Sequence, residues 1–141
     1  MANSTYNQYL EAEVLGADPV KLVIILYRAA VESVASARRH LRNGEIMERS
    51  QKITKAWEIL NELLGSLDHA RGLEISRSLA GLYTYMQTLL MEANTQQKEA
   101  PLAEVEQLLT TLAEAWRAAA PLLPVAVSPA AYTPVSCSYQ S

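Results

Sequence analysis

The stretch from Leu67 to Asn94 decides the fold. It opens Leu67-Asp68-His69-Ala70-Arg71-Gly72-Leu73-Glu74-Ile75, continues Leu79-Ala80-Gly81-Leu82-Tyr83-Thr84-Tyr85-Met86, and closes on Leu89-Leu90 and Ala93-Asn94. Apolar residues recur at 75, 79, 82, 86, 89, 90 and 93, in steps of three and four. That spacing draws one apolar stripe along an α-helix, whereas a half-buried strand would alternate with a period of two. Such a stripe must be covered by other elements, so the flanking sequence has to supply them.

It supplies three more helices. Asp18-Pro19 is a helix start, because the Asp carboxylate accepts from free first-turn amides and Pro fits the first helical position. The pattern then runs to about Asn43, where Gly44 provides a left-handed stop. A second helix is expected from about Glu45 to Ser66, with Ile53, Ala56, Trp57, Leu60, Leu63 and Leu64 on its apolar face. The third is expected from about Leu73 to Gln96, and a fourth from Ala100-Pro101 to about Ala120 through Leu102, Val105, Leu108, Leu109, Leu112 and Trp116. Short connections between long helices make antiparallel neighbours. The expected architecture is therefore all-α, an antiparallel up-and-down four-helix bundle over residues 18–120. An N-terminal arm, residues 1–17, precedes it, and a Pro-rich disordered tail, residues 121–141, follows.

Composition agrees with one helical domain. The chain has 141 residues, half of them apolar, with no Phe and few Gly. A net charge of −3 argues against a nucleic-acid partner, which calls for a basic face. Arg38, Arg39, His40 and Arg42 form the only basic cluster, and they sit where cations suit a helix C-terminus. No secretory leader is visible, and the apolar run Leu22 to Tyr27 is far short of the roughly 20 residues needed to span a bilayer. A single cysteine, Cys137, makes no internal disulfide. These features fit a cytoplasmic protein that is not inserted in a membrane.

The residues needed for catalysis or metal binding are missing from the pattern. His40 and His69 belong to different segments, and neither has a Glu three residues before it, as a di-iron bundle requires. There is no Cys-x-x-Cys, no His-x-x-x-His and no Gly-rich phosphate loop. No enzyme activity, cofactor or metal is expected.

Surface signals are more informative. Leu22, Val23, Ile24, Ile25, Leu26 and Tyr27 are consecutive, so at 100° per residue they point in every direction around their helix. That half of the helix is covered on more than one side, either by several helices of the bundle or by an external helix seated in a groove. Tyr83 and Tyr85 cannot share a face, so one of them turns toward solvent or a partner. Trp57 and Trp116 are expected as core anchors. Tyr6 and Tyr9 lie three apart in a polar arm, which suits a segment that docks two rings onto the bundle.

An ordered set of residues across all four helices resembles the flagellin export chaperone family, FliS. It runs Tyr6-x-x-Tyr9, Asp18-Pro19-x-Lys21-Leu22, Leu26-Tyr27, Lys52-Ile53-x-Lys55-Ala56, Ile59-Leu60, Leu63, Leu67-Asp68, Gly72, Leu82-Tyr83-x-Tyr85-Met86, Ala93-Asn94, Val105 and Ala115-Trp116. One departure is Arg28-Ala29, where the family carries an acidic residue and Gly after Leu-Tyr. The resemblance implies a cytoplasmic chaperone that binds the disordered C-terminal segment of flagellin. Such a protein would block premature polymerisation and deliver the subunit to the flagellar export apparatus. It further implies an arm, with Tyr6 and Tyr9, that covers the binding surface when flagellin is absent. By pattern and helical position, Leu22, Leu26, Tyr27, Tyr83, Met86 and Leu90 are the matching partner-binding candidates on the bundle. The alternative is a structural helical bundle that only self-associates, and a cofactor-binding bundle is disfavoured by the missing ligands.

Overall fold

The computed structural model describes residues 19–119, which form four α-helices. They are α1 (Pro19–Arg42), α2 (Ile46–Gly65), α3 (His69–Gln96) and α4 (Glu99–Ala119). Each helix packs on its neighbour in sequence, and α4 closes the ring against α1. The expected up-and-down bundle is therefore the observed one. Asp18, Tyr6, Tyr9, Cys137 and the segments around them lie outside the described residues.

Local chemistry sets where the helices stop. At the end of α1, Gly44 takes φ +71°, and Gly44 and Glu45 donate their amides to Leu41 and His40 carbonyls at 3.2 and 2.9 Å. This six-to-one closure satisfies carbonyls that the helix itself leaves free. Gln97 plays the same part after α3 with φ +55°, and Lys98 N–H closes back on the Ala93 carbonyl at 3.3 Å. A Gln accepts that conformation only at a steric cost that Gly would not meet.

The start of α3 departs from expectation. Asp68 caps it, with one carboxylate oxygen accepting from Ala70 and Arg71 amides at 3.1 and 3.2 Å. The helix begins at His69, not Leu73, and Leu73 marks a break with φ +45° and ψ −113°. Positive φ is costly for a bulky residue. Ser76, buried, donates its hydroxyl to the Asp68 carbonyl at 2.9 Å and ties the first turn back across the break.

Between the helices lies one continuous apolar core. From α1 it takes Leu22, Val23, Leu26, Tyr27, Ala30, Val34 and Ala37. Ile24 and Ile25 are half-buried, so the six-residue run is covered from two sides, by α2 and α4. Two expectations shift. Trp57 is half-buried at the core margin, whereas Trp116 is buried as expected. Ile75, placed by helical period on the core face, is 60% exposed.

Candidate functional site

The deepest polar feature joins three helices. Tyr27 from α1, Tyr83 from α3 and Trp116 from α4 meet with ring centroids 6.3 Å apart in both the Tyr27–Tyr83 and Tyr27–Trp116 pairs. The Trp116 indole N–H donates to the Tyr27 hydroxyl at 2.8 Å, and the Tyr27 and Tyr83 hydroxyls share a hydrogen bond. Burial dominates the tyrosine's acidity, pushing Tyr27 up to about 12 against the milder opposing pull of its Tyr83 and Trp116 hydrogen bonds. A phenol so reluctant to ionise is a structural donor and acceptor. It lets three large rings be buried without an orphaned polar atom.

At the opposite end, charge ties α1 to α4. Arg38 bridges Glu99 at 2.8 Å and Glu106 at 2.9 Å, and Arg42 shares Glu99 at 2.8 Å. Hydrogen bonds from Arg42 and Arg38 hold the Glu99 carboxyl down at about 2. His40 contacts Glu45 at 2.7 Å. The basic cluster of the sequence is thus mostly committed to partners within the bundle. Nearby, buried Arg49 donates to the side-chain and main-chain oxygens of Asn94 at 3.2 and 3.3 Å, and Ser50 donates to the same side chain at 3.1 Å. This cation sits on the carbonyl end of α3, where the helix dipole favours it.

None of this resembles catalytic machinery. Among the described residues no group of three His, Cys, Asp or Glu is placed to hold a metal ion. Glu62, half-buried on α2, has its carboxyl raised by burial alone. No described helix is long and apolar enough to cross a membrane.

Part of the described surface is apolar. Ile46, Met47, Leu73, Ile75, Tyr85 and Met91 are exposed large hydrophobic residues. Tyr85 resolves the Tyr83/Tyr85 alternative. Tyr83 is 1% exposed and Tyr85 45%, with the Tyr85 hydroxyl donating to Glu104 on α4. The six bundle candidates named from the sequence lie elsewhere. Leu22, Leu26, Tyr27, Tyr83, Met86 and Leu90 are all buried, none more than 3% exposed. The structure brings them together as one interior cluster, so each would face a partner only after something above it moves. Tyr6 and Tyr9 lie outside the described residues. Of the exposed apolar residues, Tyr85 was one side of an alternative the sequence left open, whereas Ile75 was misplaced because period alone cannot tell where a bundle ends, and Leu73 is the break in α3 itself.

The comparisons with known proteins agree in direction. A family model described as flagellar protein FliS matches residues 1–122. The flagellar secretion chaperone FliS of Salmonella typhimurium is 34% identical over 113 residues, covering 79% of this chain and 84% of that protein. Its counterpart in Campylobacter jejuni is 34% identical over 115 residues, covering 82% and 90% respectively. The flagellar secretion chaperone FliSB of Pseudomonas aeruginosa is 36% identical over 107 residues, covering 76% and 85%. With a match across most of its length and a four-helix bundle to fit it, this chain belongs to the FliS family of flagellar proteins.

Proposed function

We propose that the protein is a cytoplasmic flagellar secretion chaperone whose guest is the disordered C-terminal segment of flagellin. It holds that segment against apolar surface, prevents premature polymerisation, and supports delivery to the flagellar export apparatus. The observation that supports this best is family membership combined with a small bundle that leaves six large apolar side chains exposed. A guest that folds on binding buries about 1,000–3,000 Å². A lone folded domain rarely exposes a patch above about 300–600 Å². A cover that can be displaced reconciles those areas. In this reading Tyr6 and Tyr9 form the cover, and Leu22, Leu26, Tyr27, Tyr83, Met86 and Leu90 support or line the surface beneath it.

Calorimetric titration with a flagellin C-terminal peptide tests the proposal. One-to-one binding is expected, with a gain in helicity and a negative heat-capacity change as apolar surface is buried. An absence of heat, with no competition at micromolar protein, would reject flagellin as the guest.

A further inference from the structure

The exposed apolar residues at the start of α3 have a second candidate cover within the chain. Ile75 shares a helical row with Leu79, Leu82, Met86 and Ala93, all buried or half-buried, yet it is itself 60% exposed. The reason is axial. Extending the antiparallel register set by Arg49–Asn94 and Trp57–Gln87 puts Ile75 level with Asp68, beyond Gly65 where α2 ends. Leu73, at the break, is 67% exposed beside it. The core stripe of α3 therefore runs past the end of one of the helices that cover it.

The other neighbour of α3 is α4, which ends at Ala119 at this same end of the bundle. The sequence that follows is Pro121-Leu122-Leu123-Pro124-Val125-Ala126-Val127, and residues 120–141 carry no charged side chain. We propose that the apolar segment 121–127 folds back over Leu73 and Ile75 and closes the open end of the α3 stripe. Reach is sufficient. Packed helix axes stand about 8–10 Å apart, and seven residues in extended or polyproline form span about 22 Å. Chemistry is complementary as well. Its two prolines restrict φ and carry no amide donor, which suits a segment that docks through side chains, leucine and valine against leucine and isoleucine.

The arm before Pro19 is the competing occupant, but it enters on α1, which packs on α2 and α4 and stands diagonally across from α3. Most of the segment also lies beyond residue 122, where the family match ends. The contact is independent of which guest the protein carries.

Cysteine cross-linking in the full chain decides the matter. With Cys137→Ser as background, Ile75→Cys is paired with Leu123→Cys, with Tyr9→Cys paired to Ile75→Cys as the rival. Met91→Cys, near the far end of α3, is paired with Leu123→Cys as the control. Circular dichroism and tryptophan fluorescence establish that each variant is folded. The 75–123 pair is expected to form an intramolecular disulfide at least tenfold faster than the 91–123 pair. The uncross-linked triple variant Leu122→Asp, Leu123→Asp, Val125→Asp should bind more apolar dye than the parent chain, and most of that excess should vanish when Leu73→Ser and Ile75→Ser are added. Equal rates for the 75–123 and 91–123 pairs, or faster closure of the 75–9 pair, overturns the proposal. So does dye binding unaffected by the triple substitution.

Discussion

At the residue scale, Tyr27 shows how one hydroxyl can hold a core together. It accepts from Trp116 and shares a hydrogen bond with Tyr83, so Tyr27→Phe strands the buried Trp116 indole N–H and takes one hydrogen bond from Tyr83 while keeping the ring. The expected cost is about 1–3 kcal/mol, read as a lower denaturant midpoint. The same residue fixes an alkaline limit. Its phenol ionises near 10 in the unfolded chain but at about 12 in the folded one. Above pH 10 the unfolded state alone loses a proton, so stability present below pH 10 drains away up to about pH 12. The full two-unit difference corresponds to about 2.7 kcal/mol. Tyr27→Phe should show a shallower fall of stability between pH 10 and 12 than the parent, measured by denaturant titration at each pH. Parallel slopes would mean that Tyr27 is not the group responsible. The sequence made part of this legible, because Tyr83 and Tyr85 could not share a face. It could not say which turned inward, since that depends on Tyr27 and Trp116, which are distant in the chain. Asn94 is a similar case, readable as part of a family pattern but intelligible only once Arg49 and Ser50 are seen bonded to it.

At the element scale, helix identity was legible and helix ends were only partly so. Gly44 announced its left-handed stop, because glycine is the residue for which that conformation is least costly. Gln97 gave no such signal, yet it adopts φ +55° to close α3. The side chain is exposed, so replacing it removes little packing. Gln97→Gly should therefore stabilise the protein by about 0.5–1 kcal/mol, as relief of the left-handed strain exceeds the added freedom of the unfolded chain. For a domain of this size that corresponds to a rise in thermal midpoint of about 3–6 °C. A lower midpoint would show that the Gln97 side chain contributes more than its exposure suggests. The break at Leu73 was illegible for a different reason. The apolar period runs unbroken from Ile75 onward, and nothing in it records that Ser76 binds the Asp68 carbonyl and pulls the first turn aside. The same blindness to axial position put Ile75 in the core.

At the scale of the whole molecule, the partner-binding candidates and the exposed apolar residues turn out to be different sets. Leu22, Leu26, Tyr27, Tyr83, Met86 and Leu90 are interior in the described structure, so a guest that used them would have to replace something already there. Helical period found them because it reports which face is apolar. It does not report whether that face is closed by a helix of the bundle or by a removable segment. If Tyr6 and Tyr9 form the removable segment, arm and guest compete for one surface. Tyr6→Ala together with Tyr9→Ala then removes the competitor, and a larger fraction of the protein is open before any guest arrives. Burying one large apolar side chain contributes about 1.5–3 kcal/mol, so the free protein should also lose some stability. Affinity is a poor readout, because the same rings could contact the guest after moving. Binding of an apolar-surface dye is better. The double variant should bind more dye than the parent, and a flagellin C-terminal peptide should suppress the excess. If dye binding is unchanged, and protease removes the parent's arm as fast as an unstructured peptide of the same sequence, the arm covers nothing and the surface must be closed by the bundle itself.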